Sequence, residues 1–536
     1  MDLQLPTNMD THFYLKKSGI FCSSIFYKSY LFLIMLLYVL MPTSSFAVYP
    51  PVPENLAGTT IRVKVVTDEN QHAIAAYPNT NTIPALINTY YFSQNVWTNL
   101  SLPTAQGTLV GLSMNASGKA ILTFGVGGGG NYQTRYFDGV SWNTPVNNPI
   151  DTSFEALGGE AVINDFDVGI TVWSNSSFLV KYSIFSSNNW STAVQIPGAV
   201  GNEATVDFNN SGNGVAAWRN FSNEVMVSHY TAGVWSTPVV ATAGAAVAGA
   251  QIDASGNSIV LVRTLSTRNL IASRYVGGVF SSATTINLPD PHPDAPGMGR
   301  PVLDMAPDGT AVATWAYSQT FYQLYQLFYA QFDGTSWSPT VTVQTTSGPG
   351  VQTVIGGPTV SVNSSGNGLL FWGNGFTTPV EFYTANLPVG GVLGSPLLVS
   401  TAPALSTTSG FISASLADNN FNALGWIASP IADVSRPFAI ASLLADAPTG
   451  LNVRSCPDRF AESQRDCLNT ITWNESFDPT IASYDINKNN SFIATILATD
   501  PPIYIDSNPC GDTVTYTLIP IDVDGVPGFP ASITFN

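Results

Sequence analysis

The stretch Val206 to Trp218, VDFNNSGNGVAAW, runs from a short apolar segment through the tetrad Asn209-Asn210-Ser211-Gly212. Small apolar residues then lead to a tryptophan six positions after the glycine. The same spacing recurs: Asn115-Ala116-Ser117-Gly118 leads to Phe124, Asp253-Ala254-Ser255-Gly256 to Val262, Ala306-Pro307-Asp308-Gly309 to Trp315, and Asn363-Ser364-Ser365-Gly366 to Trp372. Three weaker copies place Gln71 six residues before Tyr77, Asp167 before Trp173 and Asn420 before Trp426. Asn, Asp and Ser side chains bond local backbone and glycine accepts positive φ, so each tetrad reads as a tight turn between two strands. The mostly apolar run after it is that of a strand buried on both faces.

A second marker follows each turn by roughly two dozen residues: an aromatic opening a strand that often carries proline, as in SWNTPV at Trp142 and VWSTPVV at Trp235. Further copies begin at Trp97, Trp190, Phe280 and Trp337, with a degenerate one, VLGSPLLV, after Gly391. Proline cannot donate to a ladder and suits an edge strand, which makes the marker the outer strand of a unit. The turn positions 71, 118, 167, 212, 256, 309, 366 and 420 are 44 to 57 residues apart. Units of that length with a tryptophan marker suit the radial blades of an all-β β-propeller, and the 3.6-residue apolar period of helical repeats is absent.

The eighth unit, Phe411 to Leu444, lacks an outer strand of its own, while Val48-Tyr49-Pro50-Pro51-Val52-Pro53 precedes the first unit and resembles one. Pairing the chain's start with its last blade closes a ring. Eight blades closed in this way are therefore favoured over seven blades plus a stray hairpin.

Only 10% of the residues are charged and the net charge is −17, which argues against nucleic acid or an anionic membrane as the main partner. At the N-terminus, Lys16, Lys17 and Lys28 precede the apolar run Tyr30 to Met41 and the segment Pro42-Thr43-Ser44-Ser45-Phe46-Ala47. That run is short for a membrane span and ends in small residues, so 1–47 reads as a signal peptide. A secreted or cell-surface protein of bacterial type is expected, with no stable membrane span once the signal is removed. The remaining cysteines, Cys456, Cys467 and Cys510, cluster in the last hundred residues, where one disulfide is expected, with Cys456 and Cys467 as candidates.

After Asp446-Ala447-Pro448-Thr449-Gly450 the repeat spacing disappears. The division expected is a propeller over 48–445 and a separate domain over 446–536. Pro448, Trp473, Ser483-Tyr484, Tyr504-Ile505-Asp506 and Tyr516 before an acidic turn give this second segment a pattern that resembles a fibronectin type III domain, a seven-stranded β-sandwich. The insertion between Cys456 and Cys467 departs from that pattern. The propeller, by the Asn/Asp-x-x-Gly-Asn turns at Asn209 and Asp253 and the later Trp-Ser-x-Pro strands, is similar to the sialidase-like and BNR-like propellers of exported bacterial proteins.

A sialidase resemblance implies Asp-boxes, an arginine cluster for the substrate carboxylate and a Tyr-Glu nucleophile pair, and no complete Asp-box is present. Arg219, Arg263, Arg268 and Arg300 fall in loops expected on one face, near Glu155, Glu160 and Glu203, and bidentate arginines suit carboxylates. They are the ligand-binding candidates. His72, His229 and His292 are scattered, and Asp290, His292 and Asp294 alternate within a proline-stiffened loop. No catalytic set, metal site or cofactor is assigned. The expected function is an exported, non-catalytic binding or adhesion protein whose loop face takes a glycan or an extracellular protein. The alternatives are a secreted glycosidase or lyase and a structural surface component.

Overall fold

The computed structural model describes residues 54–535 apart from single positions and short intervals, the longest being 287–300, 348–356, 403–411 and 458–465. The expected signal peptide, the proline-rich segment 48–53 and most of the two longest inter-unit connections lie outside the described residues. Those described are all-β, and no helix among them is long and apolar enough to cross a membrane.

The tetrads are turns, as their composition predicts. In Asn209 to Gly212 the Gly212 amide donates to the Asn209 carbonyl at 3.1 Å, and Asn209 Oδ1 accepts the amide of Asn213 at 2.9 Å. The fourth position has positive φ in every copy, at 78° for Gly212 and at 62°, 60° and 63° for the non-glycines Gln71, Asp167 and Asn420. Each turn joins an innermost strand to a mostly buried second strand. In the unit around it, Asn202–Phe208, Gly214–Arg219, Glu224–Thr231 and Val234–Trp235 pair in antiparallel succession.

The innermost strands are Lys64–Thr67, Thr108–Met114, Asp151–Ile163, Asn202–Phe208, Ala245–Ile252, Val302–Met305, Thr359–Val362 and Ser413–Leu416. Each begins a sheet that packs on the next, which is the arrangement of a β-propeller. The second and third sheets also join edge to edge, through Asp151 opposite Tyr132. In the eighth sheet the outermost position is taken by Glu54–Asn55, from the start of the described chain, paired with Ala439 and Phe438.

Apolar clusters fill the seams between successive sheets, and most take in a buried aromatic of a second strand, among them Trp173, Trp218, Trp315, Trp372 and Trp426. Polar side chains then fasten one innermost strand to the next. The residue two positions before the tetrad accepts a main-chain N–H from the following sheet: Ser113 from Ile163, Asp207 from Ile252, Asp304 from Val362, Ser361 from Leu416 and Ser415 from Thr67. The last of these links the eighth sheet to the first. The tetrads themselves form a second tier, in which the side-chain amides of Asn115, Asn164 and Asn209 donate to the main-chain carbonyls of Asn164, Asn209 and Asp253. Glu69 accepts the amides of Asp418 and Asn419 at 2.7 and 3.1 Å.

Residues from 452 onward form two sheets. One contains Asn452–Pro457, Asp466–Thr472 and Ile503–Pro509, and the other Ser491–Leu497, Ile481–Lys488, Val514–Asp522 and Ala531–Phe535. They share a core of Val453, Ile471, Trp473, Tyr484, Ile486, Tyr516 and Leu518. The first two strands are longer than the sequence suggests, and both Cys456 and Cys467 lie within them rather than in the insertion. The register sets Cys456 opposite Leu468 and Cys467 opposite Pro457, and the two cysteine side chains are outside the described residues.

Asn363 tests the second tier. Its side chain is 2% exposed, donates to Asn420 Oδ1 at 2.9 Å and accepts the amides of Ser365 and Asn367. Asn363→Ala strands those groups and is expected to cost about 2 kcal/mol in urea unfolding. Asn210→Ala, at an exposed position bonded to Asp165, is expected to cost less than half as much.

Candidate functional site

After Trp218 the chain turns sharply at Asn220, whose Oδ1 accepts the amides of Ser222 and Glu224, each at 2.9 Å. Asn220 Nδ2 also donates to Glu224 Oε2, and Asn223 takes a positive φ of 58°. This rigid turn carries Phe221 with 66% of its surface exposed. Phe178, on the corresponding turn of the preceding sheet, meets the Phe221 ring edge-on at a centroid distance of 5.2 Å.

A cavity of about 270 Å³ opens beside these rings, lined by Gly198, Val200, Trp218, Asn220, Phe221, Ser222 and Met226. Gly198 and Val200 come from the outer strand Val194–Val200 of the third sheet, and the other residues come from the fourth. The site therefore belongs to a seam between two repeats. No charged side chain is in its lining.

Trp218 is 1% exposed, and its indole N–H has no hydrogen-bond partner. At the matching position the Trp173 indole donates to Asp151 Oδ2 at 2.9 Å and that of Trp372 to Gln344 Oε1 at 2.8 Å. Trp315 and Trp426 are unpartnered like Trp218. Trp218 also lines the cavity. A buried donor left unmade costs roughly 1–3 kcal/mol.

The arginine candidates are placed as follows. Arg219 alternates with Trp218 along the strand, and its Nη2 is 2.8 Å from Glu203 Oε1, both side chains being partly exposed. Arg263 takes the equivalent position in the fifth sheet, opposite Ala246 and Leu270, and Arg268 has φ of 55° in the turn that follows. Glu160 accepts a hydrogen bond from Thr205 Oγ1. Arg300, Asp290, His292 and Asp294 lie outside the described residues, as does the side chain of Glu155. Among the described residues no group of three or more His, Cys, Asp or Glu is arranged to hold a metal.

Gly198 and Val200 were not among the sequence candidates, since they reach this site only once the preceding repeat is folded against it. A signal was nevertheless present: Phe221 falls three residues after a second-strand tryptophan, in a turn, and is exposed.

The innermost strands hold two unusual carboxyls. Burial pushes Asp207 up to about 6 and Asp304 up to about 7, the latter raised further by the charge of Asp207. Each accepts a main-chain amide of the next sheet, at 2.9 and 2.7 Å, which offsets part of the rise. A carboxyl whose folded pKa lies above its unfolded value of 3.8 keeps its proton in the folded state after the unfolded chain has released it. Stability from both groups is therefore fully present below about pH 4 and is lost as pH rises through 6 and 7. Both side chains keep partial access to water, which tempers the effect. Asp304→Asn keeps an acceptor oxygen and removes the charge. It is expected to flatten the fall in unfolding free energy between pH 5 and pH 8 by about 2 kcal/mol, measured by urea titration at each pH.

No family model matches this chain, and no curated protein matches its sequence. Among solved structures it is similar to the fungal lectin of Aleuria aurantia, a six-bladed β-propeller with fucose recognition, at 14% identity and a TM-score of 0.34, over 56% of this chain and 100% of that one. It is also similar to the SapL1 lectin in complex with α-methyl fucoside, at 12% identity and a TM-score of 0.34, over 54% and 98% of the two chains. The Dos1 propeller aligns at 11% identity with a TM-score of 0.46, over 73% of this chain and 95% of that one.

Proposed function

We propose that this chain is an exported, non-catalytic binding protein whose Trp218–Phe221 cavity takes a neutral saccharide. The observation that carries the reading is an exposed ring on a rigid turn at the wall of an uncharged cavity. A pyranose offers the complement, an apolar C–H face for Phe221. The volume of about 270 Å³ holds one sugar residue with its linkage left open to solvent. The lining carries no charge for a sugar carboxylate, and Arg219 is engaged by Glu203.

The scaffold proposed for this site is one ring of eight blades over 48–445, closed by the N-terminal strand, with a fibronectin type III-like sandwich over 446–536. Support for the ring comes from the succession of innermost strands and from the Ser415–Thr67 and Glu69–Asp418 bonds between its first and last members. Support for the sandwich comes from its division into sheets of three and four strands. Export, to the medium or the cell surface, is supported by the basic and apolar N-terminal run and by the clustering, beyond residue 47, of the cysteines in the last hundred residues.

A glycan array probed with residues 48–536 tests the reading. Binding to neutral oligosaccharides is expected, weakened at least tenfold by Phe221→Ala. Arg219→Ala is expected to leave affinity within about threefold, because Arg219 is outside the lining. Binding that depends on Arg219 but not on Phe221 overturns the assignment of the site. Release of reducing sugar by the same preparation overturns the non-catalytic reading.

A further inference from the structure

In each of the first six sheets an aromatic near the end of the third strand packs on the aromatic that opens the outer strand. The pairs are Phe92–Trp97, Phe137–Trp142, Phe185–Trp190, Tyr230–Trp235, Tyr275–Phe280 and Phe332–Trp337, all with ring centroids 5.2 to 5.4 Å apart. The second ring of each pair lies in the seam toward the preceding sheet. Trp235, for example, joins the cluster of Ile170 and Val172 from the third sheet and Val206 and Trp218 from the fourth. In the seventh sheet Leu393 takes this place, in the seam with the sixth.

The eighth sheet has no marker of its own, because the chain leaves it at Leu444 and Ala445 for the C-terminal domain. Glu54–Asn55 pairs farther back along the third strand, at Ala439 and Phe438. The vacant place is nonetheless filled. Phe529, from the loop between the last two strands of the C-terminal domain, is 0% exposed within the cluster of Phe371 and Phe382 from the seventh sheet and Trp426 and Ile440 from the eighth.

The fit is specific on both sides. The Phe529 amide donates to the Ala445 carbonyl at 2.9 Å, and Asn386 Nδ2, on a side chain 7% exposed in the seventh sheet, donates to the Pro527 carbonyl at 3.1 Å. Between them Gly528 passes so close to the propeller that a Cβ would stand 2.5 Å from the Ala445 carbonyl oxygen. A solvated linker loop needs none of these features. A buried phenylalanine, a spent side-chain amide and a glycine at backbone contact describe a docking surface with a dedicated occupant.

We propose that the seam between the seventh and eighth sheets is a docking surface for residues 527–529 of this chain, and that Phe529 stands in for the marker aromatic the eighth sheet lacks. The C-terminal domain is then a structural complement of the propeller, and the two unfold as one cooperative body. Burying a phenylalanine side chain ranks among the larger single contributions a core residue makes, so its removal is expected to uncouple the domains.

The test uses the chain over residues 48–536. Calorimetry of the parent is expected to give one transition. Phe529→Ala is expected to lower its midpoint by roughly 5 °C or more and to split it in two, with Asn386→Ala giving a smaller shift in the same direction. Two transitions in the parent, with the propeller's unmoved by Phe529→Ala, overturn the proposal. Should Phe529→Ala fail to fold, a protease site placed within Asp446–Gly450 and cut after folding decides the matter. The two fragments are expected to co-elute on gel filtration, and their separation overturns the proposal.

Discussion

The structure depends on how the innermost strand of each sheet satisfies its free edge. Such a strand has a partner on one side over most of its length, and a buried N–H left unpaired on its other side is costly. The chain meets this with side-chain acceptors placed two residues before the tetrad, so that Ser113, Asp207, Asp304, Ser361 and Ser415 each take a main-chain amide of the following sheet. One bond satisfies an edge and sets the spacing of two sheets. Because the tetrad follows at a fixed interval, its asparagines are brought into register for the second tier, in which Asn115, Asn164 and Asn209 each reach the next turn. The use of aspartate at two of these positions has an electrostatic cost. Asp207 and Asp304 are raised by burial, and the charge of one raises the other.

Much of this was legible in the sequence, since it follows from local rules repeated with a fixed spacing. Positive φ at the fourth tetrad position is readable from glycine, and it extends to Gln71, Asp167 and Asn420 by the spacing alone. The second strands are buried as their composition demands, and the outer-strand tryptophans pack where an edge marker should. What local rules cannot carry is which repeat supplies the missing parts of another. Gly198 and Val200 reach the Trp218 cavity from the preceding repeat, and Phe529 reaches the eighth sheet from the C-terminal sheets. Arg219, expected on the loop face by its charge, lies by strand alternation on the other side of the strand from Trp218 and pairs with Glu203.

The buried tryptophans show how one position is adapted to different ends. The indole needs a partner when it is dry, and Asp151 and Gln344 provide one to Trp173 and Trp372. Asp151 is in turn held below the usual carboxylate range: burial opposes this, and the Trp173 and Lys181 hydrogen bonds outweigh it. Trp218 has no such neighbour, and the wall it forms opens into a cavity.

The strands also divide these tasks by direction. In the fourth sheet the third strand starts at Glu224, beside the cavity, and ends near the tetrad; in the eighth it ends at Leu443, where the Leu444 amide bonds the Asn420 carbonyl of the tetrad and Ala445 receives Phe529. The C-terminal domain is therefore tied to the tetrad end of the strands, and the Trp218–Phe221 cavity lies at the other end. Residues that fix one sheet to the next are concentrated at the first end, which leaves the turns at the second free of that constraint. A turn such as Asn220 to Asn223 holds its shape by its own hydrogen bonds, so its exposed residue can vary without loosening the seam beneath it. That separation explains how a chain with strongly repeated turns at one end presents unlike loops at the other.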